Sequence, residues 1–208
     1  MSENWNAVYQ DRPYVNKNPY EGVIEFLKLI RERGLHEVLD LGCGDGRHLV
    51  YLVREGFCAT GMDYSLWGTL RTKEWLTREN LLAELVCAEA ACLPWSGERF
   101  DAVMSVQVIH HQKITALRRS FAEVKRVLRP GGFFYAVVPH FPPEDWKDGK
   151  YIEIEDHTFV PIEGFEQGIP HHFFTEDELV SELSGFKVLE VKEDQRGKFF
   201  VLARKKVV

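Results

Sequence analysis

Residues 38–46 read VLDLGCGDG. Four apolar or acidic residues pass directly into Gly42, Gly44 and Gly46, and RHLVYLVREG follows at once with helical spacing. Glycines on a strand-to-helix turn let a nucleotide-like ligand touch bare backbone. The other reading of such a turn is tight packing of helix on strand. Spacing narrows the choice of ligand. The dinucleotide fingerprint is G-x-G-x-x-G, whereas here the third glycine comes one residue early, which makes a poor pyrophosphate cradle. No Gly-Lys-Ser/Thr follows, so this is not a Walker loop. The histidines are the second chemical feature. Six of eight lie at or after position 110: His110, His111, His140, His157, His171 and His172. His110 and His111 follow one strand-like run and His140 another, at the carboxyl ends where open α/β sheets bind ligands. A nucleophile that carries a proton needs a base of near-neutral pKa, and imidazole is the usual one. His110 and His111 are therefore the candidate catalytic residues, a helix-start role being the alternative. The histidines show no recognisable metal-ligand spacing, so no metal is expected.

The elements that must position these residues alternate along the chain. Asn18-Pro19-Tyr20-Glu21 reads as a helix start, with Asn as N-cap and Pro at the first position. Val23, Phe26, Leu27 and Ile30 make its apolar stripe and Gly34 ends it. Strands are expected at 37–41, 57–62, 82–87, 100–106 and 132–138, with helices at 46–54, 65–78 and 115–128. Pro130-Gly131-Gly132 breaks the last helix, and Arg118, Arg119, Lys125, Arg126 and Arg129 lie off its apolar stripe as a solvated face. Strands alternating with helices mean a parallel sheet with right-handed crossovers. The rhythm fails over 139–172, a 34-residue stretch without clear periodicity, and so long a loop is expected to work as a lid or binding segment. Thr175 and Glu178 then form a capping box, and strand-like runs at 186–193 and 198–204 follow, turning at Arg196-Gly197.

VLDLGCGDG resembles the first motif of the class I S-adenosylmethionine-dependent methyltransferases, in particular small single-domain members. Asp63 in TGMDYS, Glu89-Ala90 followed by Leu93-Pro94-Trp95, FDAVMSVQVIHH at 100–111 and LRPGGFFYAVV at 128–138 continue the pattern in order. The match covers about 36–140, with a weaker likeness over 171–186. The resemblance implies a Rossmann-like, doubly wound α/β fold: a seven-stranded, mostly parallel sheet with an antiparallel C-terminal strand and helices on both faces. It implies S-adenosylmethionine as cofactor and S-adenosylhomocysteine as product. Asp40, Gly42 and Gly44 would belong to its seat. Asp63, with Tyr64 beside it, would take the ribose hydroxyls, a helix-capping role being compatible. Glu89 would accept from the adenine amino group and the Ala90 N–H would donate to the ring. The family usually has Asp where this chain has Glu89, so that contact reaches further. Gln107, at the end of strand four, would lie near the cofactor. Trp5, Tyr9, Tyr14 and Tyr20 crowd the N-terminal segment, and Tyr14 is the aromatic expected to close over the sulfonium. One domain is expected: an N-terminal arm and helix (1–35), a cofactor-binding core (36–138), a substrate lid (139–172) and a C-terminal helix and hairpin (173–208).

Methyl transfer from a sulfonium is an in-line displacement that asks mainly for positioning and desolvation. The acceptor is read from charge. The chain has a formal net charge of −6, and 139–172 holds eight acids against two lysines, which would repel a phosphate backbone. A small-molecule acceptor is expected. Methylation of tRNA or protein is the alternative, since SVQVIHH and its helix look somewhat like eukaryotic wobble-uridine tRNA methyltransferases. A non-catalytic or regulatory cofactor-binding protein is the second alternative, and a nucleotide-binding oxidoreductase is disfavoured by the early third glycine. Cys43, Cys58, Cys87 and Cys92 form no CxxC pair, and Cys58 and Cys87 fall in strand-like runs where free thiols are commonly buried. With no disulfide framework, no secretory pattern in MSENWNAVYQ and no apolar run long enough to span a bilayer, a cytoplasmic location is expected.

Overall fold

In strand β1 (Glu37–Leu41), Val38 belongs to one apolar cluster and Leu39 and Leu41 to another, as the two-residue period of a strand requires. β5 (Leu128–Pro139) repeats this. Phe133, Tyr135 and Val137 pack on one face, and Phe134, Ala136 and Val138 on the other. Strands that are apolar on both faces must be covered on both. Helices α2 (Glu21–Arg31), α3 (Arg47–Arg54) and α4 (Leu66–Arg78) cover the first face, through residues such as Phe26, Leu49 and Trp75. Helices α5 (Ile114–Val127) and α6 (Glu176–Glu182) cover the second, through Leu117, Phe121 and Leu179.

The computed structural model describes residues 2–11, 17–140, 149–194 and 197–207. Tyr14 and Arg196 therefore lie outside the described residues. The main sheet has seven strands in the order β3 (Glu84–Cys87), β2 (Cys58–Asp63), β1, β4 (Phe100–Val106), β5, β10 (Lys198–Lys205) and β9 (Phe186–Glu193). The first five are parallel, and β10 runs antiparallel to both its neighbours. This is the expected Rossmann-like sheet. The order reverses between β1 and β4, which opens a crevice at their carboxyl ends.

Several expectations are corrected. The helix start at Asn18 moves: the N-cap of α2 is Tyr20, without a side-chain cap. The Tyr20 amide is committed to Nε2 of His48 at 3.4 Å, so the chain stays extended through this residue. The third strand begins at Glu84, and Leu82 stands exposed. Helix α5 ends at Val127, and extended backbone resumes at Leu128, ahead of the Pro-Gly-Gly. The arm before α2 contains a helix, α1 (Ser2–Asp11), anchored by Asn6, whose Oδ1 accepts from Ser65 Oγ at 2.9 Å and from the Trp67 amide at 3.3 Å. Cys58 and Cys87 are exposed because they occupy strand ends, and only Cys43 is buried. Arg126 does not belong to the solvated face of α5. It pairs with Glu123 and donates to the carbonyls of Trp95 (2.7 Å) and Leu93 (3.0 Å), clamping the Leu93–Trp95 segment.

The largest correction concerns 139–172. Its described part holds a second, antiparallel sheet of β6 (Tyr151–Glu155), β7 (Thr158–Pro161) and β8 (His171–His172). His172 N donates to His110 O at 2.9 Å, which ties this sheet to the crevice beyond β4. Among the described residues no helix is long and apolar enough to cross a membrane.

Candidate active site

The glycine turn lies on the carboxyl ends of β1 and β2. The amides of Gly42 and Cys43 both donate to Met62 O, at 2.7 and 2.9 Å. Gly42 (φ 81°) and Gly44 (φ 53°) occupy left-handed backbone, where a side chain is costly. Space forbids one as well. A Cβ on Gly42 would overlap Val108, and one on Gly44 would overlap the Tyr9 hydroxyl. The turn is thus pressed between the strand-four loop and α1.

Asp63 closes β2 under this turn. Its Oδ2 accepts from Gly44 N at 2.8 Å and its Oδ1 from Ser65 N at 2.7 Å. Ser65 in turn caps α4 by accepting from Gly68 N, so Asp63 supports that cap while facing a cavity. Burial raises its pKa to about 6, opposed by the backbone N–H groups of Ser65 and Gly44. Asp40 is buried more completely and is raised to about 7, by burial first and the charge of Asp63 second. Its Oδ2 has no hydrogen-bond partner and it lines neither cavity described below.

Two cavities meet at the crevice. One of about 160 Å³ is lined by Asp63, Tyr64, Glu89, Ala90, Gln107 and His111, among others. Glu89 lies beyond the end of β3, in an isolated bridge with Cys92, and is exposed. The second cavity, about 1230 Å³, is lined by the glycine turn, Tyr20, Gln107, His110, His111, Tyr135, Glu166, His171 and Lys198, among others. Trp5, Tyr9, Gly42, Gln107, Val108 and His111 border both. Gln107 itself holds φ 58°, a strained conformation for a residue with a side chain and one that clusters at functional sites. Its Nε2 donates to Tyr20 Oη at 3.2 Å, and Lys198 Nζ reaches the same oxygen at 3.2 Å.

His110 and His111 follow β4 as expected, and β8 adds His171 to them. The rings of His110 and His111 have centroids 3.9 Å apart, and those of His111 and His171 lie 4.6 Å apart. Burial holds His110 and His111 well below the usual imidazole range and brings His171 to about 4. Trp5 packs its ring 4.8 Å from that of His111. Glu166 is the site residue that sequence reasoning missed, and His171, Trp5 and Tyr9 were named there without being assigned to the site. Trp5, Val8 and Tyr9 at helical spacing could have revealed α1; nothing in the local sequence brings His171 to His111. Tyr135 also faces the larger cavity, and its hydroxyl has no hydrogen-bond partner. Such a group destabilises the fold by about 1–3 kcal/mol. Tyr135→Phe should therefore raise the thermal midpoint, and a lowered midpoint in a denaturation scan would show that the hydroxyl is satisfied.

Fold and site together place two adjoining cavities at the carboxyl ends of a doubly wound α/β sheet. Residues 38–132 match the model of a methyltransferase domain. The chain is 38% identical over 103 residues to a phthiotriol/phenolphthiotriol dimycocerosates methyltransferase of Mycobacterium tuberculosis, covering 49% of this chain and 37% of that one. It is 34% identical over 132 residues to a mouse tRNA (carboxymethyluridine(34)-5-O)-methyltransferase, covering 62% of this chain and 18% of that one. A solved S-adenosylmethionine-dependent methyltransferase from Methanosarcina mazei superposes with a TM-score of 0.75 at 24% identity, covering 92% of this chain and 100% of that one. The chain spans about half or less of the length of these curated relatives. By motif and fold it is similar to S-adenosylmethionine-dependent methyltransferases, the domain match spanning just under half of the chain.

Proposed function

We propose that this protein methylates a small-molecule acceptor, with S-adenosylmethionine bound across the glycine turn. The observation that carries this reading is the pairing of Gly42 and Gly44, both in left-handed backbone and the first with no room for a Cβ, with a buried carboxylate at the end of the neighbouring strand. The cofactor supplies a methyl group on a sulfonium, and its transfer needs alignment and exclusion of water more than covalent help. Asp63 holds the ribose hydroxyls, Tyr64, Glu89 and Ala90 border the adenine, and Gln107 marks the passage to the larger chamber. Trp5 and Tyr9 of α1 keep water from the reacting centre. His110 and His111 face the acceptor and favour loss of its proton, though burial leaves both rings poor bases.

A small acceptor is supported by the chamber wall, where seven acidic side chains stand against four basic ones. Such a wall disfavours a phosphate backbone. The tRNA reading is favoured by the mouse relative and by the likeness of SVQVIHH and its helix. A salt titration of RNA binding separates the two, because tight binding that weakens steeply with salt would favour tRNA.

Calorimetry with S-adenosylmethionine, S-adenosylhomocysteine and NAD tests the cofactor. Binding of the first two and silence with NAD is the expected result; no binding of either sulfur compound would overturn the proposal. Binding should also depend on pH. Ribose hydroxyls donate to the ionised form of Asp63, whose pKa in the free protein is about 6. Affinity should therefore rise over roughly pH 5 to 7 and level off above, and Asp63→Asn should flatten that rise. A profile that falls over this interval would remove Asp63 from the ribose.

A further inference from the structure

We propose that His110, His111 and His171 form a three-imidazole site for a late first-row divalent cation such as Zn²⁺, placed on the acceptor side of the crevice. One ligand atom from each ring lies within 4.8 Å of the other two. Tetrahedral Zn²⁺ with Zn–N bonds of about 2.0–2.1 Å places its ligand nitrogens roughly 3.4 Å apart, so modest ring rotations close the set. Two of the three residues are buried, and Nδ1 of His110 is buried without a hydrogen-bond partner, a costly state that a metal would relieve. The scaffold is preformed. His111 N donates to Val108 O at 2.9 Å, and His172 N donates to His110 O at 2.9 Å, which joins the two ligand-bearing segments. The neighbouring His172 is excluded as a ligand because both its ring nitrogens are committed, to Thr158 Oγ1 at 2.8 Å and Glu178 Oε1 at 3.1 Å.

Glu166 stands outside the set of three, with Oε2 3.3 Å from Nε2 of His171. An outer carboxylate of this kind orients a ligating imidazole and raises its basicity. Burial keeps the rings neutral, the form that binds metal. Three protein ligands leave a fourth position open, the pattern of a reactive rather than a structural zinc site. That position opens on the larger cavity, which all three histidines line. An acceptor O–H or S–H held there loses its proton to solvent water while the electron pair stays on oxygen or sulfur. This last step rests on the proposed methyl transfer; the site itself does not.

The test uses the full chain, stripped with EDTA and free of methyl donor. Zn²⁺ affinity is measured by competition with a chromogenic chelator, and Co²⁺ is added to read the visible bands of a tetrahedral site. One equivalent should bind. His110→Ala and His171→Ala should each weaken Zn²⁺ at least a hundredfold and abolish the Co²⁺ bands. Glu166→Gln should weaken it about tenfold, and His36→Ala, far from the cluster, should change nothing. His111→Ala, at a half-buried position, serves if a buried variant fails to fold by circular dichroism. No stoichiometric binding, or unchanged affinity in folded cluster variants, would overturn the site. Calorimetry with S-adenosylhomocysteine is run separately. Metal binding without it keeps the site and removes the methyltransferase reading, and the converse removes only the site.

Discussion

Replacing Asp63 by alanine should weaken S-adenosylmethionine binding by well over tenfold. Hydrogen bonds to a charged group contribute about 1.5–3 kcal/mol each, and 1.4 kcal/mol is a factor of ten. The substitution removes the proposed acceptor for two ribose hydroxyls. It also strips the Gly44 and Ser65 amides of their partner and so loosens the turn. Stability should respond less than affinity. Burial raises the pKa of this carboxyl, so its removal relieves a desolvation cost while losing two amide bonds. Calorimetry beside thermal denataturation reads both quantities. An affinity within twofold of the wild type would end the ribose assignment.

Gly42→Ala is expected to have an effect of similar or greater size, at least a hundredfold on cofactor affinity. The left-handed backbone at this position costs an L-residue roughly 1–2 kcal/mol. The added methyl must also displace Val108, and the overlap includes its Cβ, so a rotamer change cannot relieve it. Val108 borders both cavities, and its displacement therefore disturbs donor seat and acceptor chamber at once. Val108→Gly in the Gly42→Ala background should restore part of the affinity, leaving the backbone cost behind. A double variant as weak as the single one would mean that steric overlap is not the cause.

The cofactor half of the protein was legible because its signals are local. The turn after β1, the acid ending β2 and the stripe Leu117, Phe121, Val124 of α5 are each read within a few residues. The small sheet was not legible for a physical reason. Tyr151-Ile-Glu-Ile-Glu155 does alternate, but Ile152 and Ile154 are 56% and 39% exposed. Its alternation therefore marks no core-facing side, and β8 is only two residues long. The histidine cluster depends on that sheet. His171 reaches His110 through the pairing of Phe159 with His171 and the hydrogen bond from the His172 N–H to the His110 carbonyl, which no spacing rule in a linear sequence encodes. Tyr20 as the N-cap of α2 shows the same limit on a smaller scale, since its amide is claimed by His48 from another helix.

The place of β10 has a consequence for the chain as it is being made. β10 follows β9 in sequence yet lies between β9 and β5. Until residues 198–205 have been synthesised, β5 has a partner on one side only. Its exposed rim would be FFYAVV at 133–138, uncharged, aromatic and β-branched, the composition of an aggregation-prone edge. The nascent polypeptide therefore carries an unprotected adhesive strand for the time taken to add some sixty residues, several seconds at about 5–20 residues per second. Its yield in a cell should depend on translation speed and chaperone supply more than the finished protein's stability would imply.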